Sequence, residues 1–167
     1  WSVRRLGVDT TPDIGVGAAE PEQAPEAAEG DGSELEDPVV DANLTGFENE
    51  MAADRADVVV LAVPPDHVAD TVDSVADSLG EDDIIVSPAT GMQRDEEGFH
   101  YHRPEAGSVT ALAAGAAPDG VPVVGAFHNL AAGRLADPDA ELGIDTLVIG
   151  EDEAAKATAR TPAEDLL

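Results

Sequence analysis

"ADVVVLAVPPDHVADTVDSVADSLG", Ala56 to Gly80, passes from an apolar run through two prolines into a helix-like repeat. Asp57 to Val63 is rich in β-branched residues and does not alternate, the pattern of a parallel strand buried on both faces. Pro64 and Pro65 lack the N–H groups that a ladder needs, so the strand must stop there. Asp66 then stands where an N-cap belongs; Val68, Val72, Val75 and Leu79 recur at helical spacing, and Gly80 closes the segment. Such a switch sets the strand's carboxyl end beside the unpaired N–H groups of a helix, on the edge where open α/β sheets bind ligands.

Downstream, Ile84 to Ser87 reads as the next strand, Pro104 to Ala117 as mostly helix, and Val121 to Phe127 as strand. Thr146 to Gly150 reads as a further strand before a helix opening at Glu151 or Asp152. Upstream, Pro12 to Glu20 is a short, weakly marked strand, and Pro21 to Glu36 is helical by composition but interrupted by Pro25, Gly30 and Gly32. The order β-α-β-α-β-(α)-β-α predicts an α/β fold, a doubly wound parallel sheet with right-handed crossovers. One domain is expected over residues 1–167. Residues 41–160 carry the α/β pattern, and 1–40 match it poorly or are partly disordered.

The chain has 167 residues, 43% apolar, with 36 acidic against 8 basic side chains and a net charge of −28. That field repels nucleic acid and anionic membrane, so neither is expected as a partner. From Leu6 to Asp54 there are fourteen acidic residues and no basic one, as in a solvated helix with loops or a disordered lead. Lys156 is the one lysine, and an acid-rich, lysine-poor, Ala/Val-rich chain is the composition expected of a cytoplasmic protein adapted to high internal salt. With no cysteine, thiolate nucleophiles, disulfides and Cys-type metal sites are excluded. No apolar run reaches the roughly 20 residues of a membrane span, and the start shows no secretory pattern. "WSVRRLG" at Trp1 to Gly7 lacks an initiator Met and resembles the back half of a helix, so a missing front is expected.

Three strand exits carry candidate contacts: Val63-Pro64-Pro65-Asp66-His67, Ser87-Pro88-Ala89-Thr90, and His128-Asn129-Leu130-Ala131-Ala132. Parallel strands present every carboxyl end on the same side, so the three should share one edge, with helix amino termini offering donors to phosphate or carboxylate. Taken singly, each exit is also what a tight turn needs, and His128 could be an ordinary loop histidine. Other patterns are weaker. "GVGAAE" at Gly15 to Glu20 places an acid where a G-x-G-x-x-G loop needs its third glycine, which would repel pyrophosphate. "HYH" at His100 to His102 could set two imidazoles on one face, with Glu105 near, but lacks a third ligand at metal-site spacing; no metal is expected. No serine sits in a G-x-S-x-G elbow.

"ADVVVLAVPPDHVADTV", "DDIIVSPATGMQRDEEGFHYHRPEAGSV" and "VPVVGAFHNLAAGRLADPDAELGIDTLVIGED" resemble the NADPH-dependent reductases of the deazaflavin coenzyme F420, especially archaeal and haloarchaeal members, almost continuously from Asp41 to about Ala159. The resemblance implies a Rossmann-like sheet that binds NADP, a neighbouring crevice for coenzyme F420, hydride transfer between the two rings, and a homodimer in the intact family. It implies that Val63, His67, Thr90 and Ala132 contact the nicotinamide nucleotide, that Pro64 shapes the turn, and that His128 and Asn129 lie toward the deazaflavin. No side chain need act as acid, base or nucleophile, because the cofactors carry the chemistry and the protein sets ring distance and orientation.

The chain departs from the family in three places. Family members open with a strand and a glycine-rich phosphate loop that this sequence does not show. They place Ser and Arg for the 2′-phosphate where Ala18 and Ala19 stand here, followed by Glu20, and they continue well past "RTPAEDLL". A copy truncated at both ends, weak in NADP binding and with little or no activity, is therefore expected, with the lost loop encoded upstream of Trp1. The alternatives are a non-catalytic Rossmann-like remnant that binds a partner or one cofactor weakly, and a relative of pyrroline-5-carboxylate reductase lacking its helical domain.

The charge gives a direct expectation. Self-repulsion among 28 net negative charges is relieved only when the Debye length shrinks from about 10 Å at 0.1 M to about 3 Å at 1 M salt. Thermal unfolding midpoints should rise steeply through a potassium chloride series, whereas a midpoint independent of salt would rule out the halophilic reading.

Overall fold

A computed structural model describes residues 2–4, 13–18, 43–130 and 142–166. Its strands are β1 (Ser2–Arg4), β2 (Asp13–Ala18), β3 (Asn43–Glu48), β4 (Val58–Val60), β5 (Ile84–Ser87), β6 (Met92–Asp95), β7 (Gly98–Tyr101) and β8 (Val123–Gly125). Its helices are α1 (Asn49–Asp54), α2 (Val68–Val75), α3 (Val109–Ala116) and α4 (Glu153–Leu166), with single 3₁₀ turns at Pro65–His67 and Ala76–Ser78 flanking α2. The main sheet has the order β3-β2-β1-β4-β5-β8.

β4, β5 and β8 pair in parallel, with Val60 opposite Val86 and Ser87 opposite Gly125. Their side chains alternate between two cores. Val59, Leu61 and Ile85 face Val68, Val72 and Val75 of α2 and Val109 and Ala113 of α3. Val58, Val86 and Val124 face Ala155 and Ala159 of α4. Helices therefore cover both faces, as the unbroken apolar runs require. Each fully buried Val, Leu or Ile contributes about 1.5–3 kcal/mol.

The sheet is not wholly parallel, which corrects the sequence expectation. β1 runs antiparallel to both neighbours, β2 and β4, while β2 and β3 pair in parallel. Only residues 5–12 separate β1 from β2. A parallel return needs a crossover of about a dozen residues or more, so so short a link forces antiparallel pairing.

Local details also differ. Asp66 does not cap α2: it lies inside the 3₁₀ turn that Pro65 opens, and no side chain caps either segment. The helix gives way at Ser78, and the Gly80 N–H donates to Asp83 Oδ2 at 2.6 Å. Pro104 to Ala117 becomes helix only from Val109, where Ser108 Oγ accepts from the Ala111 N–H at 3.0 Å. Thr146 to Gly150 contributes a single antiparallel bridge, Ile149 to Gly125, through two 2.8 Å hydrogen bonds. α4 opens at Glu153, one residue past the expected start, with Asp152 Oδ1 accepting from the Ala155 N–H at 2.7 Å. The reading of Pro21 to Glu36 as helix lies outside the described residues.

Two glycines test this packing in opposite directions. A Cβ on Gly125 would lie 2.6 Å from Thr110 Oγ1, 2.7 Å from Ile149 Cγ1 and 2.9 Å from His128 Cε1, whereas one on Gly115, in α3, would meet nothing within 4 Å. Gly125→Ala should destabilise by about 1–3 kcal/mol through overpacking. Gly115→Ala should stabilise by up to about 1 kcal/mol through helix propensity. Denaturant midpoints of the two variants check both signs.

Candidate functional site

The carboxyl ends of β4, β5 and β8 lie side by side because the three strands are adjacent and parallel. β4 ends at Val60, short of the expected Val63; the Leu61 N–H makes the last bond to Val86, and the prolines then tighten the chain into the turn leading to α2, where the His67 N–H donates to the Pro64 carbonyl at 2.9 Å. Val63 is half-buried against the core, while Pro64 and His67 are exposed. These three residues line an open groove of about 440 Å³, walled on the far side by Asn49 at the start of α1 and along its rim by Asp70, Thr71 and Ser74.

The exits of β5 and β8 form a second part of the edge. Thr90 is exposed, and its carbonyl accepts from the Met92 N–H at 2.7 Å as the chain enters the β6–β7 hairpin. The hairpin base closes through the His102 N–H to Gly91 carbonyl bond, and a Cβ on Gly91 would collide with the His102 carbonyl. His100 Nε2 lies 3.0 Å from Asp95 Oδ1 on this exposed hairpin, and no group of three metal-ligating side chains occurs among the described residues.

At the end of β8, Phe127 adopts φ 65°, a left-handed conformation that costs a residue with a Cβ about 1–3 kcal/mol. The reversal folds the His128 imidazole back over Gly125. His128 is half-buried, and burial lowers its pKa below the ordinary imidazole value. Asn129 is anchored at both ends of its amide: Nδ2 donates to the Asp145 carbonyl at 2.8 Å, and Oδ1 accepts from Thr146 Oγ1 at 2.9 Å. Its side chain thus holds the 145–149 segment against the end of β8. Ala132 lies outside the described residues.

Val63, Pro64 and His67 are thus brought into one groove, and Thr90, His128 and Asn129 stand at the neighbouring strand exits. Of two buried polar side chains here, Ser87 belongs to a candidate exit named from the sequence and Asn49 escaped that reading. Ser87 Oγ, at the end of β5, and Asn49 Oδ1, at the start of α1, have no hydrogen-bond partner among the described residues. Ser87 was legible as the last residue of its strand, but nothing in the local pattern marks Asn49. A larger cavity of about 810 Å³ opens at the opposite end of the sheet, beside the start of β5. Glu81, Asp82, Glu151 and Asp152 rim it, and four carboxylates disfavour a phosphate-bearing ligand there.

Residues 7–91 match the family described as NADP oxidoreductase, coenzyme F420-dependent. The chain belongs to this family. It is 30% identical over 143 residues to the F420-dependent NADP reductase of Methanocaldococcus jannaschii, an alignment covering 84% of this chain and 63% of the relative. The chain thus spans less than two thirds of that protein's length. Among solved structures, one from Arthrobacter sp. FB24, provisionally assigned as an F420-dependent NADP reductase, superposes with a TM-score of 0.69 at 22% identity, covering 91% of this chain and 69% of that one. The hypothetical protein SMa0349 of Sinorhizobium meliloti does so at 0.60 and 27% identity, covering 75% and 58%. The Arthrobacter structure supports the Rossmann-like α/β fold of this family member.

The lowered pKa of His128 sets a pH dependence. Because the folded chain binds this proton less readily than the unfolded chain, stability should fall as pH drops below about 6.5, the ordinary value, and level off below the folded pKa. The His128 imidazole resonance should titrate with a midpoint below 6.5, and His128→Asn should flatten this part of the stability profile. A midpoint at or above 6.5 would contradict the buried, neutral ring.

Proposed function

We propose that this chain is an oxidoreductase domain for hydride transfer between NADPH and coenzyme F420, working at the carboxyl edge of β4, β5 and β8. The observation that carries the reading is the family match over residues 7–91, which includes the β4 exit, the groove and Thr90. The bound cofactors would supply the hydride chemistry; the protein's part is to hold and orient them and to keep water from the reacting rings. In this reading Val63, Pro64 and His67 receive part of the dinucleotide. Thr90 and Ala132 lie along it, and His128 and Asn129 border the deazaflavin. The net charge of −28 favours a salt-rich cytoplasm as the working environment, and a homodimer is the assembly that we propose for the intact protein.

The groove fits part of such a ligand: Val63 and Pro64 give it apolar walls, and Thr71 and Ser74 add hydroxyls. The phosphate part fits less well. In dinucleotide-binding sheets the central strand runs parallel to its neighbours, and the turn at its carboxyl end cradles the pyrophosphate. Here β1 occupies the place between β2 and β4 in reverse, so its carboxyl end points away from that edge. This observation favours a second reading, in which the chain as written is a cofactor-binding remnant with little turnover.

Charge-assisted bonds from backbone N–H groups to pyrophosphate contribute roughly 1.5–3 kcal/mol each. Losing two weakens binding by about two to four powers of ten. Loose anchoring also lowers turnover, because transfer needs both rings in contact. Deazaflavin absorbance, followed with purified chain, excess NADPH and molar potassium chloride, should show at most a hundredth of the rate of the M. jannaschii reductase. A rate equal to that enzyme's would defeat the remnant reading, and failure to bind either cofactor would defeat the oxidoreductase reading.

A further inference from the structure

We infer that the β6–β7 hairpin is a docking surface for a second copy of this chain, which adds its own β7 antiparallel to β7 across a twofold axis at His100. The inference takes up the homodimer proposed above and names the surface that builds it, and its test uses no cofactor.

The hairpin leaves the main sheet after Thr90, and among the described residues no helix or other strand makes more than slight contact with it. Phe99 and Tyr101 are 68% and 62% exposed, and Met92 is 42% exposed. The three share one face, because Met92 stands opposite Tyr101 and Arg94 opposite Phe99, with the Arg94 guanidinium 5.4 Å from the centre of the Phe99 ring. An isolated two-stranded hairpin is at best marginally stable in water, and further strands sharing an apolar face are what secure it.

The backbone sets the register of the pairing. The His102 N–H donates to the Gly91 carbonyl at 2.6 Å, so the hydrogen-bonded pairs of the hairpin are Gly91–His102, Gln93–His100 and Asp95–Gly98. The N–H and carbonyl groups of Phe99 and Tyr101 therefore point away from β6, toward a free edge that can template another strand. An antiparallel copy centred on His100 sets Phe99 of each chain opposite Tyr101 of the other. Each such pair exchanges two backbone bonds, and the four rings gather on one face of a four-stranded sheet. The same register brings Arg103 of each copy opposite Glu97 of the other, so opposite charges flank the rings at both ends, in a chain whose net charge of −28 otherwise opposes self-association. On the other face the two His100 side chains meet at the axis, each 3.0 Å from Asp95 Oδ1 of its own copy. An unrelated extended segment would gain the backbone bonds but not both the ring and the charge matches.

The chain has no cysteine, so a single introduced thiol reports on this register. Directly opposite residues in a pair without hydrogen bonds have Cα atoms about 4.5 Å apart, within disulfide range. In a glutathione redox buffer, with molar potassium chloride to screen the net charge, the full chain carrying His100→Cys should convert to a disulfide-linked dimer. Gln93→Cys, roughly 14 Å from its symmetry mate across three strand spacings, should not cross-link. The unaltered chain should show a concentration-dependent monomer–dimer equilibrium in sedimentation, and Phe99→Ala should weaken it about tenfold, since two ring pairs are lost. An unaltered chain that stays monomeric through the millimolar range would overturn the inference, and that measurement does not depend on any variant folding. So would a dimer in which His100→Cys cross-links no more than Gln93→Cys, a result that would leave the homodimer standing on another surface. Neither result bears on the hydride-transfer reading.

Discussion

Parallel pairing of three short strands is the constraint on which the rest depends. β4 and β8 have three residues each and β5 has four, so they are held less by length than by alternation that buries each strand on both faces. Val59 and Ile85 anchor one core, and Val58, Val86 and Val124 the other. A slip of one residue would exchange the two sets and present each helix with the wrong surface. Because this register is fixed, the exits at Val63, Thr90 and His128 must open on one edge. The site is a consequence of core packing.

The reversed β1 works against that arrangement. It closes the sheet between two parallel blocks, β2–β3 and β4–β5–β8, and so satisfies ladder groups that would otherwise lie open. What it satisfies in hydrogen bonds it withholds in function, because a strand in this orientation cannot lead into a phosphate-binding turn at the functional edge. Fold and site are thus separable here: the two cores that position the crevice form around β4, β5 and β8, and no element that would anchor a pyrophosphate stands at this edge among the described residues.

Strong local patterns were legible in the sequence and tertiary ones were not. Ile84 to Ser87 was read with its observed bounds because a buried β-branched strand announces itself, and Val68, Val72 and Val75 were read as a helix face for the same reason. The exposed β6–β7 hairpin gave no such signal, since its residues face solvent and carry no apolar alternation that a core would demand. β3 is embedded in the acidic lead, and α1 has only six residues and no side-chain cap, so neither stood out. The direction of β1 depended on the length of a loop and not on composition. At the groove, the strand–proline–helix switch marked Val63, Pro64 and His67 as candidates. Asn49 could not be found that way, because its place in the groove arises only when α1 packs near α2. Asn129 was read as bordering a ligand, and the structure adds the bonds to Asp145 and Thr146 that hold its side chain.

The acidity of the chain bears on what the edge can recognise. A dinucleotide phosphate is itself polyanionic, and a protein with a net charge of −28 repels it at long range unless salt shortens the reach of that field. Asp66 and Asp70 stand near the β4 exit, and among the described residues no lysine or arginine lines the groove there. Recognition must fall to groups that the field does not oppose: backbone N–H groups for the phosphates, and buried dipoles with apolar walls for the neutral rings. With the phosphate-binding turn absent from the described edge, the second kind carries most of what remains. A groove walled by Val63 and Pro64 suits recognition of that second kind in a strongly acidic protein.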